Sequence, residues 1–200
     1  GETLSTQGNL NNQWGVPLTL FKLKNTHRFA VIEMGTSGPG EIEFLAKIVQ
    51  PTVSLITNIR HQHVEGMGSL EGISKEKSNI FKFLKENGTA VLNQAEKFYL
   101  DWVSLIPDQN KKNKKLKKLT FGKNAQADFF PDCFSSDIQI NRVGTDFKLH
   151  APLGVINISV PLLGEHVVEN ALAASAMAIS IGASLENIKN GLAKIKPTPG

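Results

Sequence analysis

The sequence predicts an α/β protein with a mostly parallel sheet flanked by helices and a small antiparallel β meander. In residues 1–110, apolar runs of strand length alternate with helical patterns, which is typical of βαβ units. Between residues 134 and 162 the pattern changes to short alternating segments separated by turn signals, which indicates the meander. From Glu165 onward the helical pattern returns.

Each element rests on its own pattern. Strands are predicted at 28–35, where RFAVIEMG suggests a buried strand, and at 53–58 and 88–93. Helices are predicted at 16–23, 40–50, 69–84 and 96–106, then from Glu165 to Gly182 and from about Ser184. The apolar faces of two helices recur at helical spacing: Ile42, Leu45, Ala46 and Val49, and Val168, Ala171, Leu172 and Ala176. We expect no strand in the opening segment.

The patterns divide the chain into three parts. Residues 1–110 form the parallel α/β part, 111–163 the basic loop and the meander, and 164–200 the helical return and the start of a linker. There is no internal repeat. Because the chain opens without a predicted strand and closes on KPTPG, we expect it to be part of something longer.

Composition excludes several classes of protein. With 40% hydrophobic and 20% charged residues in 200, the chain is typical of a folded soluble protein. The apolar stretch at 171–183 is shorter than the roughly 20 residues of a membrane span, and no signal pattern opens the chain. A single cysteine, Cys133, cannot form an internal disulfide, which fits a reducing compartment.

The net charge of +4 is concentrated in KKNKKLKK at 111–118, with six lysines in eight residues. A solvated surface loop explains this run. Nucleic-acid binding would require arginines and aromatic residues interleaved with the charge on a recognisable module. A non-catalytic α/β binding module with a basic loop stays open as an alternative function.

Glu33 ends an apolar strand and precedes a glycine-rich loop. The carboxyl ends of parallel strands meet at one edge of a sheet, where α/β proteins bind ligands. A carboxylate there can hold a hard cation such as Mg²⁺ through oxygen ligation. The alternative is that Glu33 caps the following helix.

The loop after the next strand carries Asn58, His61, His63 and Glu65. Glu33 and His63 could face each other across neighbouring strand ends. Zinc is an alternative, but the H-x-H pair lacks the second ligand pair of a closed zinc site. One functional histidine with inert neighbours explains the pattern better, and an inert polar loop stays possible.

Lys75 and Lys77 lie two residues apart on a predicted helix, so they point in different directions. Lys77 is closer to the apolar stripe that Ile80, Phe81 and Leu84 continue. A buried ammonium must be neutral, paired or covalently changed. The alternative is that Lys77 reaches out to solvent.

His166 and Asn170 lie four residues apart at a helix start, on one face. Such a pair can hydrogen-bond a planar ligand such as a nucleobase, or it can cap the helix. The phosphate-binding motif G-x-x-x-x-G-K-[ST] is absent from the sequence, and its only Gly-Lys pair, Gly122-Lys123, is followed by Asn.

Four segments in this order resemble the central ATP-binding domain of the Mur ligases: GNLNNQWGVPLTL, VIEMG…GEI, ITNIRHQHVEGMGSLEGISKEKSNIF and LLGEHVVENALAA. The similarity covers essentially the whole chain. The GNLNN…GVPLTL opening favours the branch that joins D-alanyl-D-alanine to UDP-N-acetylmuramoyl-tripeptide in bacterial peptidoglycan synthesis. A folylpolyglutamate-synthase-like ligase is the alternative within the same architecture.

The resemblance implies a cytoplasmic ATP-dependent amide ligase. In such an enzyme ATP phosphorylates the tripeptide carboxylate, and the amine of D-alanyl-D-alanine attacks the acyl phosphate. ATP and Mg²⁺ are the implied cofactors, since phosphoryl transfer between anions requires neutralisation of charge. The implied partners are the two substrates and the N- and C-terminal domains of the same enzyme, with no membrane or nucleic acid.

The resemblance also implies roles for individual residues. Glu33 and His63 correspond to magnesium-binding positions, and Lys77 to a lysine that is carbamylated in relatives and helps to hold a second magnesium. The nucleotide would be bound by Asn58 near the phosphates and by His166 and Asn170 at the adenine. We further predict substrate binding by three asparagines of the GNLNN segment, Asn9, Asn11 and Asn12.

Two departures from the family pattern stand out. Family members often have Asn after the histidine of the adenine-side motif, where this chain has Val167. The family's phosphate loop precedes the position where this chain begins. We therefore expect the loop and both flanking domains to lie outside this chain, and the chain alone to bind ATP weakly without ligating.

Overall fold

The structure, a computed structural model, describes residues 1–60, 64–106, 115–123 and 131–196. Its strands are β1 (Glu2–Ser5), β2 (His27–Val31), β3 (Val53–Ile56), β4 (Thr89–Asn93), β5 (Lys117–Gly122), β6 (Cys133–Ile140), β7 (Thr145–Ala151) and β8 (Gly154–Val160). Its α-helices are α1 (Gly15–Leu20), α2 (Glu41–Val49), α3 (Val64–Met67), α4 (Leu70–Ser78), α5 (Tyr99–Leu105), α6 (Glu165–Ser180) and α7 (Leu185–Leu192). A 3-10 helix, Asn79–Phe83, follows α4 directly.

The strands form two sheets. A six-stranded sheet has the order β3-β4-β5-β6-β7-β8, parallel from β3 to β6 and antiparallel from β6 to β8. A separate parallel pair consists of β1 and β2. The predicted mostly parallel sheet with an antiparallel meander is confirmed. The meander is not a separate layer, because β6 pairs with β5 and extends the same sheet.

The chain folds into two compact units. The first unit comprises residues 1–52 and 59–85, and the second comprises 53–58 and 86–200. The three-part division of the sequence by pattern, at 110/111 and 163/164, stays a prediction. Within the part of the chain that the structure describes, no helix combines the length and apolar character that crossing a bilayer requires.

The core of the second unit lies between the six-stranded sheet and α6. The predicted apolar face of this helix is buried: Val168, Ala171, Leu172 and Ala176. It packs against the inward side chains of the strands, among them Val91, Phe121, Phe147, Leu149 and Ile158. A left-handed Gly182 ends the helical pattern, with φ of +84°. The Ser184 hydroxyl then caps α7 by accepting from the Asn187 backbone N–H.

The core of the first unit includes the buried face of α2, namely Ile42, Leu45 and Ala46. This helix starts without a side-chain cap from its own N-terminal residue, Gly40. Instead, the Glu76 carboxylate of α4 accepts from the backbone N–H groups of Gly40 (2.9 Å) and Ile42 (2.8 Å). Glu76 therefore satisfies donors that a helix start leaves without intrahelical partners.

Three predicted elements differ from the structure. The opening segment does contain a strand, β1, which pairs with β2. The strand at 28–35 is shorter than predicted and not buried, since Phe29 is 36% and Val31 55% exposed on β2. Its apolar composition suggested a central strand, yet among the described residues it pairs only with β1.

The predicted helix at 69–84 is also interrupted. The Ser69 hydroxyl caps its start by accepting from the Gly72 N–H, but the α-helix ends at Ser78 and a 3-10 helix continues. The Ser78 hydroxyl donates to the Lys75 carbonyl at 2.8 Å, a local bond that competes with regular helix geometry. Ile80, Phe81 and Leu84 therefore do not continue the α-helical face that was predicted to include Lys77.

Replacing Glu76 by Ala should destabilise the protein by about 2 kcal/mol, because two N–H groups at the start of α2 lose their buried acceptor. Glu76→Gln should cost less, since it keeps one acceptor oxygen. Urea unfolding measures both. Glu43→Ala, an exposed carboxylate on α2 itself, is the control and should change stability by less than about 0.5 kcal/mol. Equal losses from the Glu76 and Glu43 variants would contradict the capping role.

Candidate functional site

In the first unit, two residues of the loop between β1 and α1, Thr6 and Asn11, form hydrogen bonds with Glu33, which follows β2. The Asn11 side-chain amide donates to Glu33 Oε1 at 2.7 Å. The backbone N–H of Glu33 donates to the Thr6 hydroxyl at 2.9 Å, and that of Gly35 donates to the Asn11 carbonyl at 2.7 Å. Two residues singled out in the sequence, Asn11 and Glu33, are therefore in contact at the end of β2.

Gly35 makes this contact possible. A Cβ atom at this position would lie 2.9 Å from both Cγ and Oδ1 of Asn11, closer than real Cβ atoms approach other heavy atoms. The glycine that follows the predicted metal ligand therefore serves a steric purpose. It leaves room for the asparagine that orients the carboxylate.

The other two asparagines of the GNLNN segment differ from Asn11. The Asn12 carboxamide oxygen accepts from the backbone N–H groups of Trp14 (3.1 Å) and Gly15 (2.9 Å), so it starts α1. Asn9 is exposed, and its carbonyl accepts from the Asn11 N–H. Of the three side chains, that of Asn11 contacts the predicted metal ligand Glu33. Substrate binding by all three stays a prediction.

The two lysines of α4 differ in exposure as the sequence indicates. Lys77 is half-buried, whereas Lys75 is exposed. Between them, Glu76 is 6% exposed and directed at the start of α2. Glu76 was not predicted as a functional residue from the sequence, because a glutamate flanked by lysines on a helix is typical of a solvated face. No pattern within the helix itself marked it as a cap for another element.

His63, with its neighbour His61, lies outside the described residues. The expectation that Glu33 and His63 face each other assumed that their strands are neighbours, but β2 pairs with β1 and β3 pairs with β4. Within the described ranges, no three His, Cys, Asp or Glu side chains cluster as metal ligands. The assignment of Glu33, His63 and Lys77 to magnesium stays a prediction.

In the second unit, Asn93 fixes the chain next to Asn58. Asn93 ends β4 and is buried; its amide nitrogen donates to the Thr57 carbonyl at 2.9 Å, and its oxygen accepts from the Ala95 N–H at 3.0 Å. Asn58 follows directly and is half-buried. Asn93 was also not predicted from the sequence, although its position as the polar residue at the end of the apolar run AVLN could have indicated it.

The end of the next strand, β5, carries a cluster of three charged side chains. It includes Lys123, whose Gly-Lys pair does not form the phosphate-binding motif. Lys123 follows β5, and its ammonium contacts Glu165 Oε2 at 3.3 Å and Glu169 Oε1 at 3.0 Å on α6. The hydrogen bond to Glu169 is the main cause that raises the pKa of Lys123 above its ordinary 10.5, with Glu165 adding to the effect. The ammonium therefore stays charged at neutral pH.

His166 and Asn170 lie on exposed positions of α6, one helical turn apart, as predicted. Gly164, which precedes the helix, has φ of +118°, and a Cβ on it would lie 2.7 Å from His166 Cε1. The imidazole therefore packs over the glycine backbone. Val167 is 5% exposed and belongs to the core, so the position where family members often have Asn contributes packing here.

Cys133 contributes no chemistry to these groups. It is fully buried on β6, and burial is the main cause that raises the pKa of its thiol to about 12. A thiol with such a pKa is not ionised near neutral pH and is a poor nucleophile.

Fold and candidate site together define an α/β domain with a mostly parallel sheet and polar side chains at the carboxyl ends of its strands. Polar side chains follow the carboxyl ends of adjacent parallel strands, with Asn58 after β3, Asn93 at the end of β4 and Lys123 after β5. The model of one family, described as the Mur ligase middle domain, matches residues 1–178. The chain belongs to this family.

Several proteins are similar to this chain over all or nearly all of its length. It is 40% identical over 200 residues to the UDP-N-acetylmuramoyl-tripeptide--D-alanyl-D-alanine ligase of Escherichia coli (strain K12), covering 100% of this chain and 42% of that protein. A crystal structure of MurF from Acinetobacter baumannii matches with a TM-score of 0.90 and 36% identity, over 99% of this chain and 41% of that one. The MurF ligase of Thermotoga maritima in complex with ADP matches with a TM-score of 0.77 and 26% identity, over 99% and 43%. The chain thus spans less than half the length of each relative.

Gly164→Ala should displace the His166 ring and destabilise the start of α6. The backbone angle at Gly164 is one that residues with a Cβ rarely adopt, at a cost of about 1–3 kcal/mol. Imidazole chemical shifts of His166 and urea unfolding measure the two effects. Gly191→Ala on α7, with ordinary φ and open space around it, is the matched control. It should leave the His166 shifts unchanged and should not destabilise the protein, because alanine favours a helix over glycine. An unshifted His166 resonance in Gly164→Ala would contradict the packing described above.

Proposed function

We propose that this chain is the ATP-handling middle domain of a longer enzyme that joins D-alanyl-D-alanine to UDP-N-acetylmuramoyl-tripeptide. The observation that carries this proposal is the 40% identity to an enzyme of that name over all 200 residues of the chain. Two further relatives of the same name, at 40% and 43% identity, support it. The folylpolyglutamate-synthase-like alternative rests on a likeness of fold alone, since a structure of that kind matches with a TM-score of 0.60 at 22% identity.

A nucleotide suits the polar edge of the second unit. The related Thermotoga maritima structure is a complex with ADP. On this chain, His166 and Asn170 offer ring nitrogens and an amide on one exposed helix face, which can pair with donors and acceptors of adenine. Asn58, positioned through Asn93, is our candidate for a contact near the phosphates.

Glu33 fits a magnesium ligand in its chemistry. It is an exposed carboxylate at a strand end, and oxygen donors of this kind are the ligands that Mg²⁺ prefers. The Asn11 amide holds one carboxylate oxygen and so limits the rotamers of Glu33. Bound Mg²⁺ would supply neutralisation of phosphate charge. His63 is the further proposed ligand.

Lys77 is our candidate for a covalently modified residue. A half-buried amine that adds CO₂ loses its positive charge and gains carboxylate-like oxygens. Such a carbamate on Lys77 would be a ligand for a second magnesium. The exposed Lys75, two residues earlier, is not in a comparable position.

Each of these residues has its own role in the proposed reaction. His166 and Asn170 would bind and orient the base, while Asn11 would fix the Glu33 carboxylate at its strand end. The transferred phosphoryl group would pass from ATP to the tripeptide carboxylate. The amine of D-alanyl-D-alanine would then displace phosphate and form the new amide. Because the proposed reaction consumes ATP and the relatives of this name are bacterial, we propose the bacterial cytoplasm as the location.

The proposal predicts that the full-length protein carrying this chain converts both substrates to the UDP-linked pentapeptide with release of phosphate. Mass spectrometry of the product and phosphate release with Mg²⁺ present measure this. Glu33→Gln should lower turnover about tenfold to a hundredfold at limiting Mg²⁺, while the exposed Glu43→Gln should not. Absence of the pentapeptide, or glutamate addition to a folate instead, would refute the proposal.

Lys77→Ala in the full-length protein should lower turnover by about tenfold or more, because a ligand of the second magnesium is lost. Added acetate or formate should restore part of the activity by replacing the carbamate oxygens. Lys75→Ala is the matched control and should keep full activity. If Lys77→Ala turns over normally, the modified lysine has no role in the reaction.

A further inference from the structure

The bridge between Lys123 and α6 lies beside the two residues assigned to the nucleotide. Glu165 immediately precedes His166, and Glu169 immediately precedes Asn170. Both carboxylates contact one ammonium, at 3.3 Å and 3.0 Å. Because successive residues of a helix are about 100° apart, the Lys123-facing stripe and the His166–Asn170 stripe are adjacent on the same two turns.

The start of α6, before its buried face begins at Val167, has no side-chain cap. Gly164 has no side chain and provides no side-chain cap. Of the turn's own side chains, Glu165 and His166 are exposed, and the buried face begins with Val167 and Val168. Glu165 and Glu169 are also like charges four residues apart, which destabilises a helix unless a cation lies between them.

Lys123 is well anchored for this purpose. Phe121 and Gly122, the residues before it on β5, are buried, and its own carbonyl accepts from the Ser135 hydroxyl at 3.0 Å. The side chain is 25% exposed, so the pair with Glu169 is screened less than a fully solvated one. The end of β5 is therefore fixed, and it contacts the first two turns of α6 through the Lys123 side chain.

We propose that Lys123 is a positioning residue for the nucleotide, which bridges Glu165 and Glu169 and thereby holds His166 and Asn170 in helical register. This inference rests on the proposed function, since it assumes that His166 and Asn170 bind a nucleotide. Lys123 itself acts through the helix and does not contact the base.

Two measurements on the full-length protein test it. Lys123→Met should weaken ADP binding about three- to tenfold by isothermal titration, the effect of losing a partly exposed ion pair. It should also speed amide hydrogen exchange at Glu169 and Asn170, whose N–H groups bond to the carbonyls of Glu165 and His166 in an α-helix. Lys123→Arg should restore both, because a guanidinium can bridge two carboxylates.

Lys148→Met is the matched control, since Lys148 pairs with Asp137 at 2.7 Å on the meander of the same unit. It should change neither measurement, and the KM for D-alanyl-D-alanine should stay unchanged in all variants. If Lys123→Met does not fold, Glu169→Gln replaces it, with the same expected directions.

The outcomes separate the two proposals. Unchanged ADP affinity or unchanged exchange in Lys123→Met, against a wild-type protein that binds ADP, overturns the positioning role alone. A matching effect from Lys148→Met also overturns it. A wild-type protein that binds no ADP overturns both this inference and the proposed function.

Discussion

The second unit depends on the burial of one face of α6 against the six-stranded sheet. Side chains of that face, such as Val168 and Leu172, lie fully buried among residues of the strands. This packing fixes the axis and rotation of the helix. Every exposed position on α6 then has a defined direction, so the placement of His166 and Asn170 depends on the side chains of the buried face.

A different kind of constraint operates where the elements begin and end. Glu76 starts α2, Asn12 starts α1, and Asn93 ties the ends of β3 and β4 together, each through backbone hydrogen bonds made by a side chain. Such bonds are worth about 1 kcal/mol each, far less than core burial. Their importance is geometric, since each fixes the end of a helix or strand, and Asn93 does so next to the candidate site residue Asn58.

The sequence predicted the fold well because periodicity reports burial. The meander, the faces of α2 and α6 and the exposure order of Lys75 and Lys77 all followed from local pattern. Prediction failed where a partner distant in sequence decides the outcome. No local sequence pattern shows that Glu76 caps another helix. Nor does any local pattern show that, among the described residues, the apolar strand β2 pairs with a strand on one side only. For the candidate site, Glu33, His166 and Asn170 were predicted from residue type and position, and the role of Asn58 from the family resemblance. Their supports, Asn93 and Gly35, needed three-dimensional contacts to be found.

The exposed face of β2 has a consequence for how the protein behaves in solution. Phe29 and Val31 lie at the surface on a strand whose only partner among the described residues is β1, so one backbone edge is left without a strand there. An apolar edge of this kind is a template for pairing with another chain. Arg28, exposed and adjacent to Phe29, is the sort of charged neighbour that limits such pairing. In the part of the chain that the structure describes, the edge of β2 is therefore where pairing with another chain would begin, and Arg28 is the charge that opposes it.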